Sequence, residues 1–163
     1  MKKIVLCLLV CIAIVSCASS EKDPNAAAPT AYAGYASWQK VNDQPITGDA
    51  TGVLGKAHEG TDGFREVYVN STGAAVSTGG AALPYPKGTV ILKEAFKNSD
   101  GSKGALTAVT VMVKRENGYD AGNGDWEYIM LNSKMKVKGQ GKIGACISCH
   151  LAADNDQVFT DNR

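Results

Sequence analysis

The segment Cys146-Ile147-Ser148-Cys149-His150 constrains this 163-residue chain more than any other feature of it. Two cysteines three positions apart, with a histidine directly after the second, form Cys-x-x-Cys-His, the pattern of c-type haem attachment. Thiols at that spacing on a helical turn reach the two vinyl groups of one porphyrin, and the next residue, His150, turns its imidazole to the iron as proximal ligand. One covalent haem c is therefore expected, and the rest of the domain has to fold as a pocket around it.

Five cysteines in an exported chain also permit disulfides. The N-terminus removes most of them. In MKKIVLCLLVCIAIVSC two lysines precede an apolar run from Ile4 to Val15 and then small residues, so 1–16 read as a secretory signal peptide. The run is too short to span a bilayer comfortably. Its end, Ile14-Val15-Ser16-Cys17, resembles a bacterial lipobox, which predicts lipidation at Cys17 and loss of Cys7 and Cys11 with the signal. The expected product is a lipoprotein facing the periplasm or the outer surface, held to its membrane by lipid alone. Cys146 and Cys149 remain as thiols; a disulfide between them is the competing reading, a strained short loop as in redox motifs.

Residues 17–31 are polar, small and proline-punctuated and read as a flexible tether; 32–163 form the domain. About 147 mature residues suit one domain with a modest core. A net charge of +1 with 20% charged residues gives no basic excess, which argues against a nucleic-acid partner.

Within the domain, Tyr35, Trp38 and Val41 in AYAGYASWQKVN fall at i, i+3 and i+6 and predict a short helix, weakened by Gly34. Four segments then read as strands separated by Gly, Asn and Asp: FREVYVN, YPKGTVILKEAF, LTAVTVMVKR and DWEYIMLN. NSDGSKG predicts a hairpin between the second and third. TGAAVSTGGAA reads as a loose stretch, and SKMKVKGQGKIG as a basic loop leading into the haem motif. The expected fold class is α+β: mainly antiparallel β-sheet with a few short helices, the C-terminal helix carrying the motif. A motif late in the chain also occurs in the four-helix cytochromes c′, but four strand-like segments argue against a bundle.

The sixth iron position has candidates in His58, Met112, Met130 and Met135, or none. His58 lies in a glycine-rich loop, where a lone histidine is more often solvated. Met112 and Met130 sit among apolar strand residues and read as core. Met135 lies in the lysine-rich loop. LAADNDQVFTDNR, after the motif, holds neither Met nor His. An open or water-filled site is the preferred reading, and an open site binds small molecules whereas a closed one mainly passes electrons. Lys93 is the anomaly: alternation in GTVILKEAF puts Thr89, Ile91, Lys93 and Ala95 on one face and Val90, Leu92, Glu94 and Phe96 on the other. On pattern alone the strand reaches solvent at Lys93-Glu94.

These residues resemble the cytochrome P-460 family. The resemblance rests on Cys146-Ile-Ser-Cys149-His150, on Asp156-x-Val158-Phe159-Thr160 and on Gly88-Thr89-x-x-x-Lys93-Glu94, and spans roughly residues 35 to 160. It implies a small antiparallel β domain, commonly a homodimer, with a five-coordinate haem c. It implies oxidoreductase chemistry on hydroxylamine and nitric oxide, with electrons passed to a redox partner protein. It also implies that Lys93 bonds covalently to the porphyrin ring. Relatives without that bond, the cytochromes c′-beta, bind nitric oxide and carbon monoxide without turnover; a simple electron carrier is a third reading. A distal carboxylate is expected to accept substrate protons, with Glu94, Asp125 and Glu127 as candidates, and Phe96 and Trp126 are candidate pocket walls.

Overall fold

The computed structural model describes residues 30–42, 46–47, 63–153 and 155–159. The signal segment, Cys17, most of the tether and His58 lie outside them. Seven strands form one antiparallel sheet: β1 (Gln39–Lys40), β2 (Ile46–Thr47), β3 (Gly63–Val69), β4 (Val90–Ser99), β5 (Ser102–Lys114), β6 (Trp126–Asn132) and β7 (Val137–Gly141). β1 and β2 pair with successive stretches of β3, and from β3 to β7 each strand pairs with the next in sequence. Among the described residues two α-helices accompany the sheet, α1 (Ser71–Ser77) and α2 (Gly144–His150). Among the described residues no helix is long and apolar enough to cross a membrane.

The predicted hairpin is present. Ser99 pairs with Ser102, and Asp100 and Gly101 between them have φ of 53° and 83°. Two consecutive left-handed residues make the type I′ turn that matches strand twist.

Alternation in the central strands produces two buried faces. Val90 and Leu92 of β4, Val109, Val111 and Val113 of β5, and Ile129 and Leu131 of β6 pack on one side with Tyr32. Ile91, Met112 and Tyr128 pack on the other, with Val69, Tyr85, Trp126 and Val158. Because successive side chains point to opposite faces, a strand buried on both reads as a continuous apolar run, as VILKEAF and AVTVMVK nearly do.

Three expectations about local secondary structure fail. The helix expected at Tyr35–Val41 is replaced by two 3-10 turns, Thr30–Tyr32 and Tyr35–Ser37. Gly34 is left-handed, with φ of 75°, and Val41 N–H donates to Val67 O at 2.8 Å, so sheet pairing takes the backbone that a helix needed. The loose glycine and alanine stretch forms α1, capped by the Asn70 side chain, which accepts from Gly73 N–H at 3.2 Å. Gly73 lies so close to Thr89 and Val69 that a methyl group there would collide with both. The basic loop contains the edge strand β7, where Val137 is buried and Lys136 and Lys138 face solvent. Exposed lysines are a common guard on a sheet edge.

Candidate functional site

Helix α2 lies over the sheet face that carries Ile91, Met112 and Tyr128, anchored by Ile143, Cys146 and Ile147 against that cluster. Cys146, Cys149 and His150 stand at i, i+3 and i+4, the spacing that shares one helix face. All three line a cavity of about 290 Å³ between α2 and the sheet. No disulfide joins the two cysteines. Burial pushes the Cys146 thiol up, with the Lys93 charge opposing and Cys149 reinforcing.

The strand register delivers the cavity floor. Val67, Lys93 and Thr110 are successive partners across β3, β4 and β5, and all three line the cavity. β4 continues past Lys93 to Ser99, so the expectation that the strand meets solvent at Lys93-Glu94 is wrong. Lys93 faces inward. Desolvation first and the Arg65 charge second bring its pKa down from 10.5 to about 8, after a partial offset by the thiols of Cys149 and Cys146. Arg65, buried on β3, is the second cation of the lining.

His150 is held from three sides. Its Nδ1 lies 2.7 Å from Gln157 O; a carbonyl only accepts, so Nδ1 carries the proton. That tautomer makes Nε2 the nitrogen suited to a metal. The ring lies 5.4 Å from that of Tyr128 and 5.3 Å from that of Phe159. Burial depresses the imidazole pKa, the Gln157 bond raises it and the Lys93 charge lowers it; the net shift is downward. Neutral imidazole, the form that ligates, is favoured.

The tail that supplies Gln157 O is itself a tight turn. Asn155 bridges to Val158, whose N–H donates to Asn155 O at 3.0 Å, and Asp156 and Gln157 between them have φ of 53° and 61°. Asp156 engages all three of its oxygens. Lys114 Nζ donates to Oδ1 and Oδ2 at 2.8 and 2.7 Å, Tyr85 N–H to Oδ2 at 2.8 Å, and Trp126 Nε1–H to the backbone O at 2.8 Å. With its amide nitrogen toward Asn123 O (2.8 Å) and its oxygen toward Gly124 N (3.2 Å), the Gln157 side chain pins the same turn.

The other candidates are elsewhere. Glu94 and Glu127 are buried on the opposite side of the sheet, Glu94 accepting from Tyr35 Oη at 2.6 Å and Glu127 pairing with Arg115 and Gln140. Asp125 caps a turn through Gly118 and Asp120 N–H. Phe96 lies beneath Lys103 Nζ, and Trp126 is buried in the core with its N–H on Asp156. Met135 packs against the far-face cluster, whereas Met112 and Met130 line the cavity. Among the described residues no carboxylate lines it. Arg65, Tyr128 and Gln157 were missed by sequence reasoning. Alternation in FREVY and EYIML carries the signal for the first two once register with Lys93 is known; Gln157 acts through its backbone and has none.

The donor set fits a haem. The walls are largely apolar, two thiols and an imidazole share one helical face, and Tyr128 adds a buried hydroxyl without a hydrogen-bond partner. A protein-family model described as Cytochrome P460 matches residues 32–160, most of the chain. No curated protein matches it.

Proposed function

The chain belongs to the cytochrome P460 family, and from that premise we propose that it is an exported mono-haem c-type cytochrome that oxidises hydroxylamine or handles nitric oxide at an open haem iron. The observation that carries this reading is the pairing of His150 Nδ1 with Gln157 O at 2.7 Å, which leaves Nε2 as the coordinating nitrogen beside the cavity. Haem supplies one-electron chemistry and a position for a small nitrogenous ligand. Cys146 and Cys149 would hold it as thioethers, each thiol adding across one vinyl group. Lys93 faces the same cavity and is the amine proposed to bond to the ring; that C–N bond would replace a ring C–H and an amine N–H, releasing two protons and passing two electrons to an external oxidant such as a peroxide. The largely apolar lining gives a bound ligand a low-polarity surrounding.

The surrounding organisation belongs to the same proposal. Signal residues 1–16 direct export, lipid on Cys17 anchors the domain, and electrons leave to a redox partner protein. The functional unit is a homodimer.

One observation favours a second reading. The carboxylates expected to take protons from hydroxylamine, Glu94, Asp125 and Glu127, all lie outside the cavity. A cytochrome c′-beta-like protein that binds nitric oxide or carbon monoxide without turnover needs no such base. The optical spectrum of the ferrous protein, matured in an exporting host, separates the two, together with intact mass for the wild type and Lys93→Ala. A red-shifted Soret band abolished by Lys93→Ala, with hydroxylamine turnover, supports the enzyme. An ordinary high-spin c-type spectrum unchanged by Lys93→Ala, with ligand binding alone, supports the gas binder.

A further inference from the structure

We propose that the Lys114–Asp156 ion pair is a positioning element for His150: it holds the tail turn whose Gln157 carbonyl accepts the imidazole proton, and through that bond it sets how strongly the ring binds the haem iron. The inference rests on the haem reading above.

The argument starts from the backbone. Asp156 and Gln157 are consecutive non-glycine residues in the left-handed region, which side chains disfavour. Such a turn persists where its surroundings over-determine it. Here Lys114 at the end of β5 reaches a residue 42 positions later, and both side chains are about nine-tenths buried. The same ammonium donates to Gly124 O at 2.7 Å and lies 4.9 Å from the Trp126 ring centre. Trp126 in turn donates to Asp156 O, the carbonyl that precedes Gln157. The sheet therefore fixes the peptide plane on one side of Gln157, and the following carbonyl turns toward His150.

A hydrogen bond at Nδ1 raises the basicity of Nε2, and outer partners of metal-bound histidines tune the metal through this route. Lys114 and Asp156 are not among the residues that line the cavity, so they act on the iron through the tail they hold, whose Gln157 O bonds the imidazole and whose Phe159 ring packs beside it. A merely structural staple would change stability and leave the iron–imidazole bond as it was.

The test uses holoprotein matured in an exporting host: wild type, Asp156→Asn, Lys114→Met and Lys114→Arg. Covalent haem is verified by mass, and the ferrous iron–imidazole stretching band is recorded by resonance Raman alongside the midpoint potential. Asp156→Asn and Lys114→Met are expected to move the band to lower frequency and raise the potential, while Lys114→Arg, which restores the cation, returns the band toward wild type. An unchanged band in haem-bound Asp156→Asn overturns the proposal. That variant is isosteric and decides the matter alone if Lys114→Met does not fold. A wild type that carries no haem, or shows no such band, overturns the haem reading instead, a failure visible before any variant is made.

Discussion

Lys93 and Glu94, neighbours in β4, face opposite sides of the sheet: Lys93 lines the cavity, and Glu94 accepts a 2.6 Å hydrogen bond from Tyr35 on the far face. The sheet thus separates a cationic, largely apolar chamber from a polar network built on Glu66, Glu94, Tyr35 and Tyr68. The rings of Tyr35 and Tyr68 meet edge to face with centroids 5.5 Å apart, and Glu66 and Glu94 are cross-strand partners. The chemistry of the first chamber and the stability supplied by the second are separable by mutation.

Glu94→Ala removes the acceptor of the Tyr35 hydroxyl and is expected to cost about 1–3 kcal/mol, the usual penalty for stranding a part-buried donor. Ligand-binding kinetics of the holoprotein stay at the wild-type level, because the side chain is on the wrong face to reach a ligand. Denaturant unfolding and stopped-flow nitric oxide binding check the two halves. Altered binding with unaltered stability would place Glu94 in the chamber and contradict the register.

Glu66 gives the acid limb of stability. Burial alone would raise its pKa, but hydrogen bonds from Lys103, Lys40 and Tyr68, with the Lys103 charge, bring it below its ordinary value of 4.5. The lysines lie 3.0 and 3.1 Å away. A carboxylate with a depressed folded pKa binds fewer protons folded than unfolded, so its stabilisation is present above about pH 4.5 and is lost as pH falls through the lower folded value. Glu66→Gln is expected to flatten that limb. Chemical denaturation between pH 3 and 7 reads it, and an acid limb equally steep in the variant would assign the effect to other carboxylates.

What could be read in the sequence follows the range of the interaction that encodes it. Cys146, Cys149 and His150 form a local motif, and the four long strands carry a period of two that needs no partner to be visible. The facing of Lys93 was also legible from alternation, yet which face holds a chamber depends on where α2 comes to rest, a non-local fact. Asn70 before Ser-Thr-Gly was a usable cap signal for α1, hidden by a composition poor in large apolar residues. β7 buries one residue, Val137, among lysines and glycines, too little for a pattern. Gln157 contributes a carbonyl, which every residue has.

Leu92, fully buried in the first half of β4, tests the core on which that register rests. Leu92→Ala is expected to cost about 2–5 kcal/mol through lost burial and the void left behind. The midpoint of denaturant unfolding falls while its slope is preserved. A cost under about 1 kcal/mol, as on an open surface, would contradict a two-sided core at this strand.

Lys93 predicts a pH dependence of the same sign as that of Glu66 but on the alkaline side, where a buried cation's penalty is relieved, and it is measurable in haem-free protein recovered without maturation. Its folded pKa of about 8 lies below the ordinary 10.5. Between these values the unfolded chain holds the proton and the folded chain has released it, so stability rises with pH through this window. Below about pH 8 both states are protonated and the desolvation penalty is constant. The two values bound that penalty at about 3 kcal/mol, at 1.36 kcal/mol per pH unit. Lys93→Met, close in length and uncharged, is expected to remove it, giving a more stable haem-free protein at pH 7 and a flatter profile from pH 8 to 10.5. Denaturant midpoints across that range for both proteins decide it. A wild type whose stability is flat or falls over this window, or a variant no more stable at pH 7, would mean that the amine reaches water and does not face the apolar chamber.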